Sequence, residues 1–234
     1  MSRDINEDYK KFRNYLNSYN LKTLVSKDKF GSHSKQIHKI YFCILVFQAE
    51  FNQQISDGLF SINTQSLEYI NESISNLGSS VFNWIHGSYK TSLVMLRLTI
   101  ENFVRGVGST EDINLLTEEV VHKLFDQYKM LDLYLQDLNQ KNSFDKVHHE
   151  YKNLCSFVHT NSALNMEEII SLTTFPEFNR EKSNKSKETI VKLNKELLFL
   201  FCKIFNEVLH NMHYKNKMIV LESIPRSLKP FLMG

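Results

Sequence analysis

A ridge of reactive side chains is predicted in the segment from His148 to His159. Within it His148, Lys152, Cys155 and His159 follow one another at steps of four, three and four residues. At about 100° per residue, this spacing places all four on one edge of an α-helix. Two imidazoles, an ammonium and a thiol can move protons, bind anions or ligate a metal. We therefore expect the chemistry of this chain, if it has any, to be concentrated on this ridge.

An apolar stripe in the same segment predicts the helix that positions the ridge. Its members recur at helical spacing beside the reactive residues, and they are Phe144, Val147, Tyr151, Leu154 and Val158. The predicted helix runs from about Ser143 to His159 and ends at Thr160 and Asn161. A turn over residues 139–142 is expected to precede it.

Most of the remaining chain also carries the apolar periodicity of helices. The expected helices span residues 6–16, 34–55, 64–77, 81–104, 117–138, a short stretch at 166–172, and 186–213, while the charged run 179–187 is expected to be a loop. Gly78 and Ser79-Ser80 are expected to separate the third helix from the fourth. The helix at 81–104 is apolar almost all round, which is typical of the middle of a bundle.

Composition agrees with this fold class. The apolar fraction of 42% is ample for a core, and three prolines and seven glycines leave little room for a loop-rich or all-β fold. The predicted fold is an all-α helical bundle with a docked C-terminal tail. The chain is expected to form one domain over residues 1–234. Within it, residues 1–78 supply N-terminal helices, 79–161 a core, 186–214 a long core helix and 215–234 the tail.

Charge and cysteine usage favour a protein of the cytoplasm. The formal net charge is only +2, so no strong overall field points to nucleic acid or membrane. Its opening residues are polar, unlike a signal peptide, and the longest apolar runs are too short to cross a bilayer. The three cysteines, Cys43, Cys155 and Cys202, are scattered among apolar neighbours, which favours buried thiols over a disulfide framework.

Two Glu-x-x-His motifs, Glu119 to His122 and Glu207 to His210, imitate the ligand order of a di-iron bundle. Helical phase argues against that site, because both pairs fall well off the apolar stripe of their own helix. Ligands that point to solvent cannot share an internal metal pair. The sequence also lacks a phosphate-cradling glycine loop, a GxSxG elbow, an HExxH helix and a CxxC motif. No metal and no cofactor are expected.

Two close pairs of polar residues have both a structural and a functional interpretation. Cys155 and His159 can be a packed thiol beside a partly exposed imidazole, or a thiolate–imidazole or metal-binding pair. Arg97 and Glu101 can form a buried ion pair that fixes the register of the bundle. Alternatively, Arg97 binds an anion such as a phosphate beside His159.

The segment Tyr151 to His159, preceded by a core helix that carries Leu96-Arg97-Leu98-Thr99-Ile100-Glu101, resembles the HEPN superfamily. More narrowly, it is similar to HEPN-like proteins of bacterial abortive-infection and phage-defence systems. In those proteins a helix bearing Tyr-x-x-Leu-(Ser or Cys)-x-x-x-His follows an Arg/Glu-bearing helix. The resemblance spans roughly Ser79 to Asn161.

The resemblance implies an all-α homodimer that acts on RNA, with a partner protein from the same defence or toxin–antitoxin system. Active members are metal-independent endoribonucleases. By this resemblance the catalytic residues are His159, Lys152, Asn153 and Arg97, with the histidine assisting proton transfer at a ribose 2′-hydroxyl and a cation steadying the phosphate.

One position departs from the pattern of the active members. Lys152 stands where they carry arginine, while Asn153 and His159 keep the polar residue and the spacing. Lysine supplies positive charge but lacks the planar bidentate fork of arginine. Inactive members of the superfamily act as binding or regulatory partners. Two functions therefore stay open, a nuclease or RNA-binding protein and a non-catalytic helical interaction module.

Overall fold

The computed structural model describes residue 14, residues 18–159 and residues 175–233, with the side chains of residues 158 and 159 outside that description. Between Lys22 and Met233 these ranges hold eleven α-helices, one short 3₁₀ helix and no strand. The helices are α1 (Lys22–Val25), α2 (Phe30–Ser56), α3 (Thr64–Ile85), α4 (Tyr89–Gly108), α5 (Val121–Tyr128), α6 (Asp132–Leu135), α7 (Leu138–His159), α8 (Arg180–Ile204), α9 (Asn206–Asn211), α10 (Tyr214–Ser223) and α11 (Pro230–Met233). The predicted all-α class is confirmed.

The five long helices α2, α3, α4, α7 and α8 enclose the core. Helix α4 packs along α3 and also contacts α7 and α8, while α8 lies between α2 and α7. Leu96, Ile100, Phe103 and Val104 of α4 are completely buried. Helix α8 is buried along the whole run from Leu197 to Cys202. These two helices form the centre of the bundle, because each is covered on several sides by its neighbours.

Small residues at seven-residue intervals hold α3 and α4 together. Ser66, Ser73 and Ser80 of α3 lie opposite Gly106, Thr99 and Ser92 of α4. The Ser73 hydroxyl donates to the Thr99 carbonyl at 2.8 Å, and Ser80 and Ser92 each donate to the other's carbonyl at 2.8 Å. A Cβ at Gly106 would come within 3.0 Å of the Ser66 carbonyl oxygen. The two backbones are therefore close enough for side-chain hydroxyls to bridge them directly.

The break between α3 and α4 lies later than predicted. Helix α3 continues through Gly78, Ser79 and Ser80, and the chain turns at Gly87, whose φ is +83°. Gly78 is small for a packing reason, since a Cβ there would lie 2.8 Å from the Tyr41 hydroxyl oxygen. The expectation that residues 78–80 separate two helices was wrong, because a glycine needed for close contact looks the same in sequence as one needed for a turn.

Two further expected helices are divided differently in the structure. Residues 117–138 hold α5, a turn and α6 where one helix was predicted, and the Glu111 carboxylate accepts the Leu133 N–H at 3.0 Å beside that turn. The predicted helix 186–213 is interrupted at Phe205, where ψ is 48°. Its start is earlier than expected, because the Asn179 side chain accepts the Lys182 N–H and begins α8 inside the charged run.

Helix α7 ends at the predicted residue but begins earlier. The Asp137 carboxylate accepts the backbone N–H groups of Asn139 and Gln140 at 2.8 and 3.0 Å, so the expected turn at 139–142 is the first turn of the helix. The helices predicted at 6–16 and 166–172 lie outside the described residues.

Helix α10 lies along α2. The Cys43 sulfur is 3.2 Å from the Ile219 carbonyl oxygen and 3.0 Å from the Ser223 hydroxyl, and Lys39 pairs with Glu222. In the part of the chain that the structure describes, no helix is both long and apolar enough to span a bilayer.

Gly87 offers a direct test of the α3–α4 turn. A Cβ at Gly87 would collide with the Glu177 carbonyl group, whereas a Cβ at Gly58, which also has a positive φ of 71°, would meet nothing within 4 Å. We expect Gly58→Ala to cost about 1 kcal/mol of unfolding free energy from backbone strain alone. Gly87→Ala should cost at least about 1 kcal/mol more. Urea unfolding of both variants measures the difference, and equal losses would contradict the close approach of residue 177.

Candidate functional site

Helix α7 presents three different sides to its surroundings. Phe144, Val147, Tyr151 and Leu154 are buried against the core, as the apolar stripe predicts. Lys152 and Asn153 are exposed. The helix contacts α4 along one flank and α8 along the other. Lys152 and Asn153 therefore belong to the outer surface of α7, while the stripe holds the helix in place.

A hydrogen-bonded network joins α7 to α4. The Arg97 guanidinium lies 2.6 Å from the Glu101 carboxylate, and it also donates to the Tyr151 hydroxyl from Nη2 at 3.2 Å and from Nε at 3.4 Å. The Tyr151 hydroxyl donates to the same Glu101 oxygen at 2.9 Å. The side chains of Arg97 and Glu101 are only 18% and 15% exposed. The three side chains thus provide hydrogen-bond partners for one another where they are largely shielded from water, and an unpaired polar group there would cost free energy.

The network fixes the protonation of its members. Burial by itself would lower the pKa of Arg97, but the hydrogen bond with Tyr151 and the charge of Glu101 raise it. Burial raises the pKa of Tyr151, and Glu101 raises it further, although the bond from Arg97 acts in the opposite direction. Arg97 is therefore a permanent cation and Tyr151 a neutral phenol. The guanidinium charge is already balanced by Glu101, which favours the structural interpretation of this pair.

His148 lies beside the network under an aromatic cover. Its ring stacks on Phe125 with centroids 4.5 Å apart and planes 14° from parallel. Burial, followed by the nearby charges of Lys129 and Lys152, lowers the pKa of His148 to about 4. The imidazole is consequently neutral at physiological pH, and it is held flat against the core edge.

Lys152 and Asn153 have surroundings unlike those of Arg97. Lys152 is close enough to His148 to affect its pKa, but it is exposed. Asn153 is exposed too, and its carbonyl accepts the Ser156 hydroxyl. Arg97 is held on the core side by Glu101 and Tyr151. Among the described side chains, Arg97 is therefore not brought into one cleft with Lys152 and Asn153. The His159 backbone closes the last turn of α7, and its side chain lies outside the described part.

Helix α8 borders the other flank of α7 with charged residues. Lys146 pairs with Glu196 at 3.0 Å, and the Lys185 ammonium lies 5.9 Å from the centroid of the Phe157 ring. These two contacts join residues eleven apart on each helix, so α7 and α8 run antiparallel side by side. The flank is a mixture of cations and carboxylates, which keeps it from forming a single basic stripe.

The cysteines differ in their burial. Cys43 and Cys202 are buried, whereas Cys155 is only partly buried. Cys155 follows Tyr151 by one helical turn and is near enough to influence the pKa values of both Tyr151 and Arg97. The prediction of buried thiols is confirmed for Cys43 and Cys202 and only in part for Cys155.

The side chains of both Glu-x-x-His motifs point to solvent as predicted, although Glu119 precedes α5 and is not helical. Glu119, His122, Glu207 and His210 are all exposed. Within residues 18–159 and 175–233, no group of three or more His, Cys, Asp or Glu side chains is placed to hold a metal ion.

From the sequence, Tyr151 was assigned to the apolar stripe and to the motif of the resemblance, but its hydrogen bonds with Arg97 and Glu101 were not predicted. The available signal was its position at the border of the stripe, on a helix expected to pack against the one that carries a buried arginine. The stacking of His148 on Phe125 was not predicted either, because α5 was not separated from its neighbours.

Comparisons with known proteins identify no relative of this chain. No family model matches the sequence, and neither the curated proteins nor the solved structures searched contain a match.

The Arg97–Glu101 pair should show strong energetic coupling. Replacing either residue with Met leaves the other charge unpaired and should cost about 2–4 kcal/mol of unfolding free energy. The double variant should lose less than the sum, with a coupling of about 1–3 kcal/mol by urea unfolding. The exposed pair Lys39–Glu222, with side chains 50% and 68% exposed, serves as the control and should couple by less than about 1 kcal/mol. Additive losses at Arg97 and Glu101 would show that the network is not formed.

His148 should make stability depend on acid pH. Its folded pKa of about 4 lies below the ordinary value of 6.5, so the unfolded chain binds more protons between these two pH values. Its contribution is therefore fully present above pH 6.5 and is lost as pH falls toward 4. In His148→Gln, the urea midpoint should fall less steeply across that range than in the wild type. A slope in His148→Gln equal to that of the wild type would contradict the assignment.

Proposed function

We propose that this chain is a HEPN-like protein of the cytoplasm that binds or cleaves RNA through the outer face of α7. The observation that supports this most is the network of Arg97, Glu101 and Tyr151. It fixes α7 against the Arg/Glu-bearing helix α4 while Lys152 and Asn153 remain exposed. That arrangement suits a rigid helix presenting polar groups to a sugar-phosphate chain.

In the proposed reaction His159 takes the proton from a ribose 2′-hydroxyl. The 2′-oxygen then attacks the adjacent phosphorus, the bond to the 5′-oxygen breaks, and the leaving 5′-oxygen takes a proton from solvent water while His159 returns its proton to solvent. A 2′,3′-cyclic phosphate and a 5′-hydroxyl result. Lys152 balances the charge that develops on the phosphate, and Asn153 donates a hydrogen bond to it. No metal takes part. Arg97 acts as a positioning residue, because its guanidinium is engaged by Glu101 and Tyr151.

The proposed setting is a bacterial defence or toxin–antitoxin system. In it, two copies of the chain place their α7 helices together across a two-fold axis, so that each contributes a set of polar residues to one RNA site. A partner protein of the same system would control access to that site.

A second candidate function is a non-catalytic helical interaction module. Two observations favour it, namely that Lys152 stands where active members carry arginine, and that the guanidinium of Arg97 is already neutralised by Glu101. Such a module would bind RNA or a partner protein without turnover.

Single substitutions on α7 separate these functions. If the chain cleaves RNA, His159→Ala should lower the cleavage rate by about a hundredfold or more, the usual contribution of a general acid or base. Lys152→Ala should weaken RNA binding and reduce the salt dependence of log K by about one phosphate contact. Labelled RNA with the purified protein, in the presence of a metal chelator, measures both effects.

Lys141→Ala is the matched control, since it removes the same charge from the exposed start of α7. Cleavage that survives His159→Ala would reject the catalytic role. RNA binding without turnover that is lost in Lys152→Ala would support the module instead. Equal behaviour of the Lys141 and Lys152 variants would reject a specific role of Lys152.

A further inference from the structure

An apolar cavity of about 470 Å³ lies between the first half of α2 and the last turns of α3. Its hydrocarbon and aromatic walls are formed by Ile37, Tyr41, Val81, Trp84 and Ile85. The Trp84 indole is 1% exposed, and its N–H is satisfied by the Ser183 carbonyl oxygen at 3.3 Å. The inner wall is therefore fixed and presents carbon to the cavity.

Small residues form part of the α2 side of the cavity. Gly31 and Ser34 line its α2 side, and a Cβ at Gly31 would meet nothing within 4 Å. Further along, the two helices are close again, since a Cβ at Gly78 would lie 2.8 Å from the Tyr41 hydroxyl. The opening is thus local, with a closed end at Tyr41.

The rim of the cavity is basic. Lys35 and His38 are both exposed and belong to its lining, and among the described residues the lining contains no aspartate or glutamate. Ser34 is engaged with the Gly31 carbonyl at 3.1 Å. Lys35 is consequently a charge on the described rim that can pair with the head of a bound ligand.

Size and chemistry together indicate a small ligand. Sites for small molecules are concave, mostly apolar spaces of about 300–1,000 Å³ with a few polar groups that orient the ligand. We infer that this cavity binds an amphiphile with an alkyl or aryl tail and a carboxylate head. The tail lies between α2 and α3 against Tyr41, Val81 and Ile85, and the head pairs with Lys35. This site shares no residue with α7, so ligand binding in the cavity can be tested independently of RNA binding at α7.

Dodecanoate, used below its micellar concentration, is a suitable probe, with dodecanol as its uncharged counterpart. Titration calorimetry on the full chain should show saturable binding of one dodecanoate, with the alcohol bound more weakly. Lys35→Gln should weaken dodecanoate binding several-fold and leave dodecanol unchanged. Lys27→Gln, which removes an exposed charge outside the cavity, should alter neither.

Filling the cavity provides a second test, with a closely matched control. Ser34 lines the cavity, and Ser32 does not, yet each hydroxyl donates to the carbonyl three residues earlier. Ser34→Leu should lower the affinity for dodecanoate by about tenfold, the equivalent of roughly two buried methylene groups. Ser32→Leu should change it by less than about twofold. Thermal unfolding of both variants verifies that they remain folded.

The outcomes are distinct. Absence of saturable binding, or equal effects of Ser32→Leu and Ser34→Leu, would overturn the inference. Equal affinity for dodecanoate and dodecanol would overturn the anionic head. If Ser34→Leu fails to fold, the Lys35→Gln comparison still decides the question, because that side chain is exposed and supports no packing.

Discussion

The close contact between α3 and α4 is the constraint on which the rest of the bundle depends. Ser66, Ser73 and Ser80 recur every seven residues, which is the interval that keeps one seam of a helix facing its partner. Their small size lets the two helix backbones approach each other. The hydroxyls of Ser73 and Ser80 donate hydrogen bonds to backbone carbonyls of α4. Because that seam occupies one side of α4, Arg97 and Glu101 are turned to the opposite side, where α7 packs.

The candidate site depends on that orientation. The i, i+4 spacing of Arg97 and Glu101 was sufficient to predict their pairing from sequence. The participation of Tyr151 was not predictable, because it depends on how α7 is rotated about its own axis against α4. An alternative expectation was that Arg97 binds an anion beside His159 on α7. In the structure the Arg97 guanidinium is paired with Glu101 and Tyr151, and Lys152 is exposed. This outcome depends on the rotation of α7 about its axis, which cannot be predicted from the local sequence.

The fold class followed from periodicity, and the ends of α2 and α7 were close to the expected residues. Helix breaks were less predictable. Gly78 and Gly87 are chemically identical, yet one accommodates the Tyr41 ring and the other turns the chain. Between α5 and α6 the chain bends beside a contact from Glu111 to the Leu133 N–H, residues 22 apart. Such breaks are stabilised by tertiary contacts, and a window of neighbouring residues contains no signal for them.

The bend at Phe205 ends α8 at a length close to that of its neighbour α2. Helix α2 has 27 residues and α8 has 25, which correspond to about 40 and 38 Å, so these two neighbouring helices are matched in length. Without the bend, α8 and α9 would form one rod that projects some 10 Å beyond its neighbours, with apolar residues in water. The turn brings Val208 back, so that its carbonyl accepts from the buried Gln54 amide at 3.0 Å. The bend at Phe205 thereby keeps Val208 buried inside the bundle.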